Sequence, residues 1–182
     1  MSSSQINAAL MDACANPETT LSQVEELIEA GADVKAADID DGWTALMYAA
    51  MYSTNPKVIS VLINAGADLE VKNEEDWTPL MLAARYGSDP KSASILIKAG
   101  ANLEAKNDHG FTPLILAAAM NSNPEVVSFL IKAGANLYAK TNEGKTALDH
   151  AKVNKSFDEE ALKAFSELEK SEALLEACAD LA

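Results

Sequence analysis

The stretch Thr78-Pro79-Leu80-Met81-Leu82-Ala83-Ala84 decides how the whole chain is read, because it recurs. It returns as Thr112-Pro113-Leu114-Ile115-Leu116-Ala117-Ala118, is preceded by Thr44-Ala45-Leu46-Met47-Tyr48-Ala49-Ala50, and persists weakly as Thr146-Ala147-Leu148-Asp149-His150-Ala151. The threonines stand at 44, 78, 112 and 146, a strict step of 34. A second marker runs in phase: Ala30-Gly31-Ala32-Asp33, Ala65-Gly66-Ala67-Asp68, Ala99-Gly100-Ala101-Asn102 and Ala133-Gly134-Ala135-Asn136. Two phased markers over four cycles make the chain an array of stacked units.

Each unit reads as helix, loop, helix, glycine stop and extended turn. The threonine is placed to cap the first helix, and Pro79 or Pro113 takes the first helical position, where a missing N–H costs nothing. The alanine pair that closes this helix leaves room for a neighbour. Asn55-Pro56, Asp89-Pro90 and Asn123-Pro124 repeat the cap-then-proline logic for the second helix. Its run of Val58, Ile59, Val61, Leu62 and Ile63 predicts an almost wholly buried helix. Gly66, Gly100 and Gly134 then suit the left-handed conformation that ends a helix. Segments such as 68–76 turn and project away from the helices.

These motifs resemble the ankyrin repeat from about residue 5 onward. The resemblance implies an all-α ankyrin-repeat solenoid of about five helix-turn-helix units with projecting β-hairpin-like turns. The expected domains are an N-terminal capping repeat at 5–43, three internal repeats at 44–145, and a C-terminal capping repeat with an extra helix at 146–182. A tetratricopeptide array shares the 34-residue period but lacks the phased extended turn. Three departures from the family pattern stand out. The period is 34 where 33 is usual, Met47, Met81 and Ile115 replace the histidine of the opening motif, and Glu70, Glu104 and Tyr138 replace an asparagine that some ankyrin proteins hydroxylate. In the last unit, Ser156 and Glu159 suggest a capping box before an apolar face of Ala161, Leu162, Phe165 and Leu168. The segment 172–179 looks like 8–15, either as a capping helix or as the start of another repeat.

Composition narrows the function. The 182-residue chain is 48% hydrophobic, which excludes disorder of the whole and allows a real core. Its net charge of −14 argues against nucleic acid and anionic membranes as partners. Residues 1–41 hold nine acids and one base, 42–157 hold eleven of each, and 158–182 hold eight acids and two bases. The acidic excess therefore lies at the ends, as solubility of terminal units requires. No apolar run is long enough to span a bilayer. The start, MSSSQINAAL, has no basic n-region or apolar h-region, so no secretory signal is expected. Cys14 and Cys178 are too far apart in sequence to suggest a disulfide framework or a metal site, which fits a reducing, cytoplasmic setting.

Catalytic chemistry finds no footing. His109 and His150 have no cysteine near them; His109 falls at a turn tip and His150 in a packed helix. Asp38-Ile39-Asp40-Asp41-Gly42 lacks the spacing and the downstream glutamate of a calcium loop and reads as a solvated turn. There is no phosphate loop and no nucleophile motif. The expectation is a non-enzyme without cofactor or metal.

A binding surface is easier to place. The resemblance implies a concave groove lined by the turn tips and the first helices. The residue before each opening threonine faces it: Trp43, Trp77, Phe111 and Lys145. Each of these three aromatics could bury roughly 150–250 Å² against a partner, or pack on its own turn. Met51, Tyr52, Arg85, Tyr86 and Met120 line the same groove, with Glu74, Glu75, Asp108 and His109 on the tips. The expected function is protein binding by a monomer, to a partner offering an apolar strip with basic residues. The rivals are self-assembly through the ends and an engineered scaffold without a native partner.

Overall fold

A computed structural model describes residues 2–87 and 89–157 together with Leu162 and Phe165. Among them run α1 (Ser3–Ala15), α2 (Leu21–Glu29), α3 (Ala45–Tyr52), α4 (Lys57–Asn64), α5 (Pro79–Tyr86), α6 (Pro90–Lys98), α7 (Pro113–Met120), α8 (Pro124–Lys132) and α9 (Ala147–Ala151). The odd-numbered helices open successive units and pack in one row, α1 on α3 and so on to α9. The even-numbered helices form a second row behind them, so the chain is an all-helical repeat solenoid.

The caps are those the threonine spacing predicts. Thr44, Thr78 and Thr112 each accept the amide three residues on, from Met47, Met81 and Ile115. Thr146 likewise accepts the Asp149 amide and donates its own amide to the Asp149 carboxylate, a full capping box. Ala49, Ala50, Ala83, Ala84, Ala117 and Ala118 are at most 1% exposed, so adjacent opening helices meet closely there. Met47, Met81 and Ile115 are wholly buried. At the position of the family's histidine this chain therefore holds apolar core.

The second helices depart from expectation. Val58, Ile59 and Leu62 are buried, but Val61 and Ile63 are only partly so, and Lys57 and Asn64 are exposed. One face of α4 meets solvent because the second row is the outer layer. The Asn55 side chain accepts the Lys57 amide at 3.1 Å, as Asp89 does from Lys91 and Asn123 from Glu125. The proline that follows Asn55 nevertheless lies just outside the helix. α1 starts at Ser3, ahead of the expected boundary at residue 5, with Ser2 and Gln5 as its capping box.

The projecting turns are tips closed by side chains. Among the described residues no strand forms, and one isolated bridge joins Ala37 and Thr44. The four tips are residues 38–43, 73–77, 107–111 and 141–145. In each, the first amide donates to the carbonyl of the last residue: Asp38 to Trp43, Asn73 to Trp77, Asn107 to Phe111 and Thr141 to Lys145. The first tip is one residue longer than the others, an insertion within the turn that holds Asp40 and Asp41. Of the last unit, Glu159, Ala161, Leu168 and the segment 172–179 lie outside the described residues, as does Cys178.

Candidate functional site

One column of side chains builds every tip. Asp38 Oδ1 accepts the amides of Asp41 (3.0 Å) and Trp43 (3.2 Å), and its Oδ2 accepts Tyr48 Oη at 2.8 Å. Asn73 accepts from Glu75 and Trp77, Asn107 from His109 and Phe111, and Thr141 from Lys145. These residues orient the aromatic, or lysine, that precedes each opening threonine. Burial raises the Asp38 carboxyl, but the Asp41 amide, the Tyr48 hydroxyl and the Trp43 and Gly42 amides outweigh it and hold the group below its ordinary value. Burial, then the bond to Asp38, pushes Tyr48 up to about 12. Sequence reasoning missed Asp38 and Tyr48 as parts of this surface; the recurrence of Asn, Asn and Thr at 73, 107 and 141 was the signal that could have found the column.

The oriented side chains fare differently. Trp43 is partly buried, its ring 5.1 Å from that of Tyr48. Trp77 is 8% exposed, which corrects its expected role as a large contact surface. Its ring is covered by Tyr86 at 6.3 Å and by the Arg85 guanidinium at 5.2 Å, so packing within its own unit has taken its area. Phe111, partly buried, turns toward His150 of the next unit at 5.3 Å. Burial of the ring, then nearby Lys145, holds the His150 imidazole below its ordinary value.

Outside this packed layer stands an exposed one. Tyr52, Tyr86 and Met120 end α3, α5 and α7 at equivalent positions and are 42%, 42% and 49% exposed. Met51, next to Tyr52 in the chain, is half-buried and packs against the core. Trp77, at the base of the second tip, touches both Arg85 and Tyr86 at the far end of α5. The tip side and the helix ends therefore share one face.

The charges on the tips divide the face. Glu74 and Glu75 are exposed on the second tip, as are Asp40 and Asp41 on the first. None of these four has an ion-pair partner among the described residues. With Trp43 and Asn73, three of them (Asp41, Glu74 and Glu75) line a notch of about 260 Å³ between the two tips. On the third tip His109 Nε2 lies 3.7 Å from Asp108 Oδ1. On the fourth, Lys145 donates to Glu143 at 2.9 Å and holds that carboxyl below its ordinary value. The structure thus brings Trp43, Glu74 and Glu75 together, and Trp77, Arg85 and Tyr86, while Asp108, His109, Phe111 and Lys145 sit apart toward the other end.

Cys14 is buried in the core, and burial pushes its thiol up to about 12. Among the described residues no group of three or more His, Cys, Asp or Glu side chains could hold a metal ion, and no helix is long and apolar enough to cross a membrane.

Comparison with known families agrees with this architecture. A family model described as ankyrin repeats in three copies matches residues 10–107, and one described as ankyrin repeats in many copies matches residues 96–151. No curated protein matches the chain. Ankyrin repeats are generally protein–protein interaction modules. With the first of these models covering more than half of its length, the chain belongs to the ankyrin repeat family.

Proposed function

We propose that the chain is a non-enzymatic, cytoplasmic and monomeric module that binds a partner protein along the face formed by the tips and the ends of the opening helices. The observation that carries this reading is the row Tyr52, Tyr86 and Met120, three large apolar side chains left exposed at one position of three successive units. Ile39, Tyr138 and Val153 are exposed as well, but Tyr52, Tyr86 and Met120 recur at one position of the 34-residue period, and aromatic and Met side chains are enriched where interfaces form. Acidic groups along one edge favour a partner with basic residues beside its apolar strip, mainly through association rate and selectivity. The array is rigid and pre-shaped, so docking orders little of the protein.

The test is affinity capture with wild type and with Tyr52→Ala, Tyr86→Ala, Met120→Ala combined. Because all three are exposed, the variant is expected to keep its circular dichroism and to melt only slightly lower, where Tyr86 no longer covers Trp77. A partner held by wild type and released by the folded variant supports the reading. Equal capture by both removes this face as the site.

A further inference from the structure

We infer that the groove takes an extended, basic segment of its partner, with apolar side chains at every third residue. This rests on the reading above and narrows it. Three observations converge.

The first is spacing. Tyr52, Tyr86 and Met120 belong to helices packed side by side, and packed helices stand about 8–10 Å apart. A polyproline-type chain rises ~3.1 Å per residue with three residues per turn, so every third side chain returns to one face after ~9.3 Å. A β-strand alternates faces and loses register at its third residue. An α-helix meets the spacing only with residues seven apart, at ~10.5 Å.

The second is Arg85. Its guanidinium lies 5.2 Å from the Trp77 ring centre and 4.6 Å from that of Tyr86, held between the two. No carboxylate or carbonyl among the described residues accepts from it, so its donors are open in the middle of the face. An extended backbone offers unpaired carbonyls to such a fork, whereas a helix has already used its own. The third is charge. Asp40, Asp41, Glu74 and Glu75 crowd the first two tips without counter-ions. They exclude an acidic ligand and place the basic end of the segment over the notch beside Trp43, where an ammonium or guanidinium would also meet an aromatic wall.

The probe is a fluorescein-labelled peptide of repeated Leu-Pro-Arg triplets, titrated by anisotropy at low salt into the full chain. Two controls accompany it: repeated Leu-Pro-Glu, and an Ala-Arg helix with leucines seven apart. Saturable binding of the Leu-Pro-Arg peptide alone is expected. Tyr86→Ala should weaken it about tenfold. Glu74→Lys with Glu75→Lys, or added salt, should weaken it further. Arg85→Lys, which keeps the charge and loses the fork, should weaken it with the melting temperature unchanged. Absence of binding, equal binding of the acidic peptide, or insensitivity to these variants overturns the inference. Equal or tighter binding of the helical peptide does so too, yet leaves the proposed function standing. That function fails separately, when captured partners ignore the groove variant.

Discussion

The first two tips and the last two are built on the same 34-residue template and put their polar groups to opposite use. At the third and fourth tips these groups turn inward, along the array. The Asn142 amide donates to the His109 carbonyl and its side chain to Asp108 O. Lys106 donates to Lys140 O, and Glu104 accepts the Asn136 amide. Behind the tips, Asn121 reaches back to Ala84 O and Asn154 to Ala118 O. Between the first two units the ties are fewer, the Glu74 amide to Asp41 O and the Thr54 hydroxyl to Pro17 O. There the carboxylates of Asp40, Asp41, Glu74 and Glu75 point to solvent beside Trp43. From the second unit onward each is tied to the next, since Lys72 donates to Lys106 O and Glu70 accepts the Asn102 amide in the same way; what the first two tips leave open to a partner is their acidic edge. A repeat protein can make this division because each unit's stability comes from its neighbours, so one interface can be tied tightly while another is freed.

The largest test of the comparison lies in the aromatics. Trp77 is buried and Tyr86 lies over it, so one residue stabilises and the other is available. Trp77→Ala should cost about 3–5 kcal/mol in chemical denaturation, as expected for truncating a buried large aromatic. Tyr86→Ala should stay within about 1 kcal/mol. Equal losses would mean that the exposed row is part of the core.

A smaller effect measures how closely the third tip is pressed against the fourth. Gly110 and Gly144 occupy the same tip position with φ of 78° and 79°, a left-handed conformation that disfavours other residues. A Cβ at Gly110 would meet the Asn142 side-chain oxygen at 2.5 Å and its amide nitrogen at 2.9 Å, whereas one at Gly144 meets nothing within 4 Å. Gly144→Ala should therefore cost only the backbone strain, about 1–2 kcal/mol. Gly110→Ala adds a clash with the next tip, for about 2–4 kcal/mol in all. Indistinguishable midpoints in urea would show that the third and fourth tips are not pressed together. The second tip holds Asp76 here at φ 62°, tied by Lys72 at 3.0 Å, so the strain is tolerable where a partner offsets it.

Why the fold was legible in the sequence and the site only in part follows from range. Thr78 capping Met81 and Ala83 meeting the next helix are decided by residues within one turn and one period, and both repeat at every 34th position. Whether an aromatic before the threonine is buried depends on what the far end of its helix supplies. Trp43 and Trp77 look alike in the sequence, but Arg85 and Tyr86 cover Trp77, while Trp43 has Tyr48 and an acidic notch. The tip-closing column Asp38, Asn73, Asn107 and Thr141 was harder to see because the longer first tip moves Asp38 out of step. Glu70 and Glu104, which read as departures from a family asparagine, are ties: they accept the amides of Asn102 and Asn136 in the following units at 2.7 Å.

That tie supplies the gentlest way to change the comparison. Asp68 is the counterpart of Asn102 and Asn136, but the residue one unit upstream that would receive its amide is Lys35, which has no acceptor. Among the described residues nothing accepts from the Asp68 amide. Lys35→Glu should give the first interface the clamp that the next two possess, for a gain of about 0.5–1 kcal/mol, the crowding of Asp33 and Asp68 keeping it at the low end. The gain should grow with added salt as that repulsion is screened. Urea denaturation at two salt concentrations measures both. A loss of stability at high salt would mean that the first two units are not in the register of the others, and the open acidic edge would then owe its unpaired groups to misalignment and not to a shared template used differently.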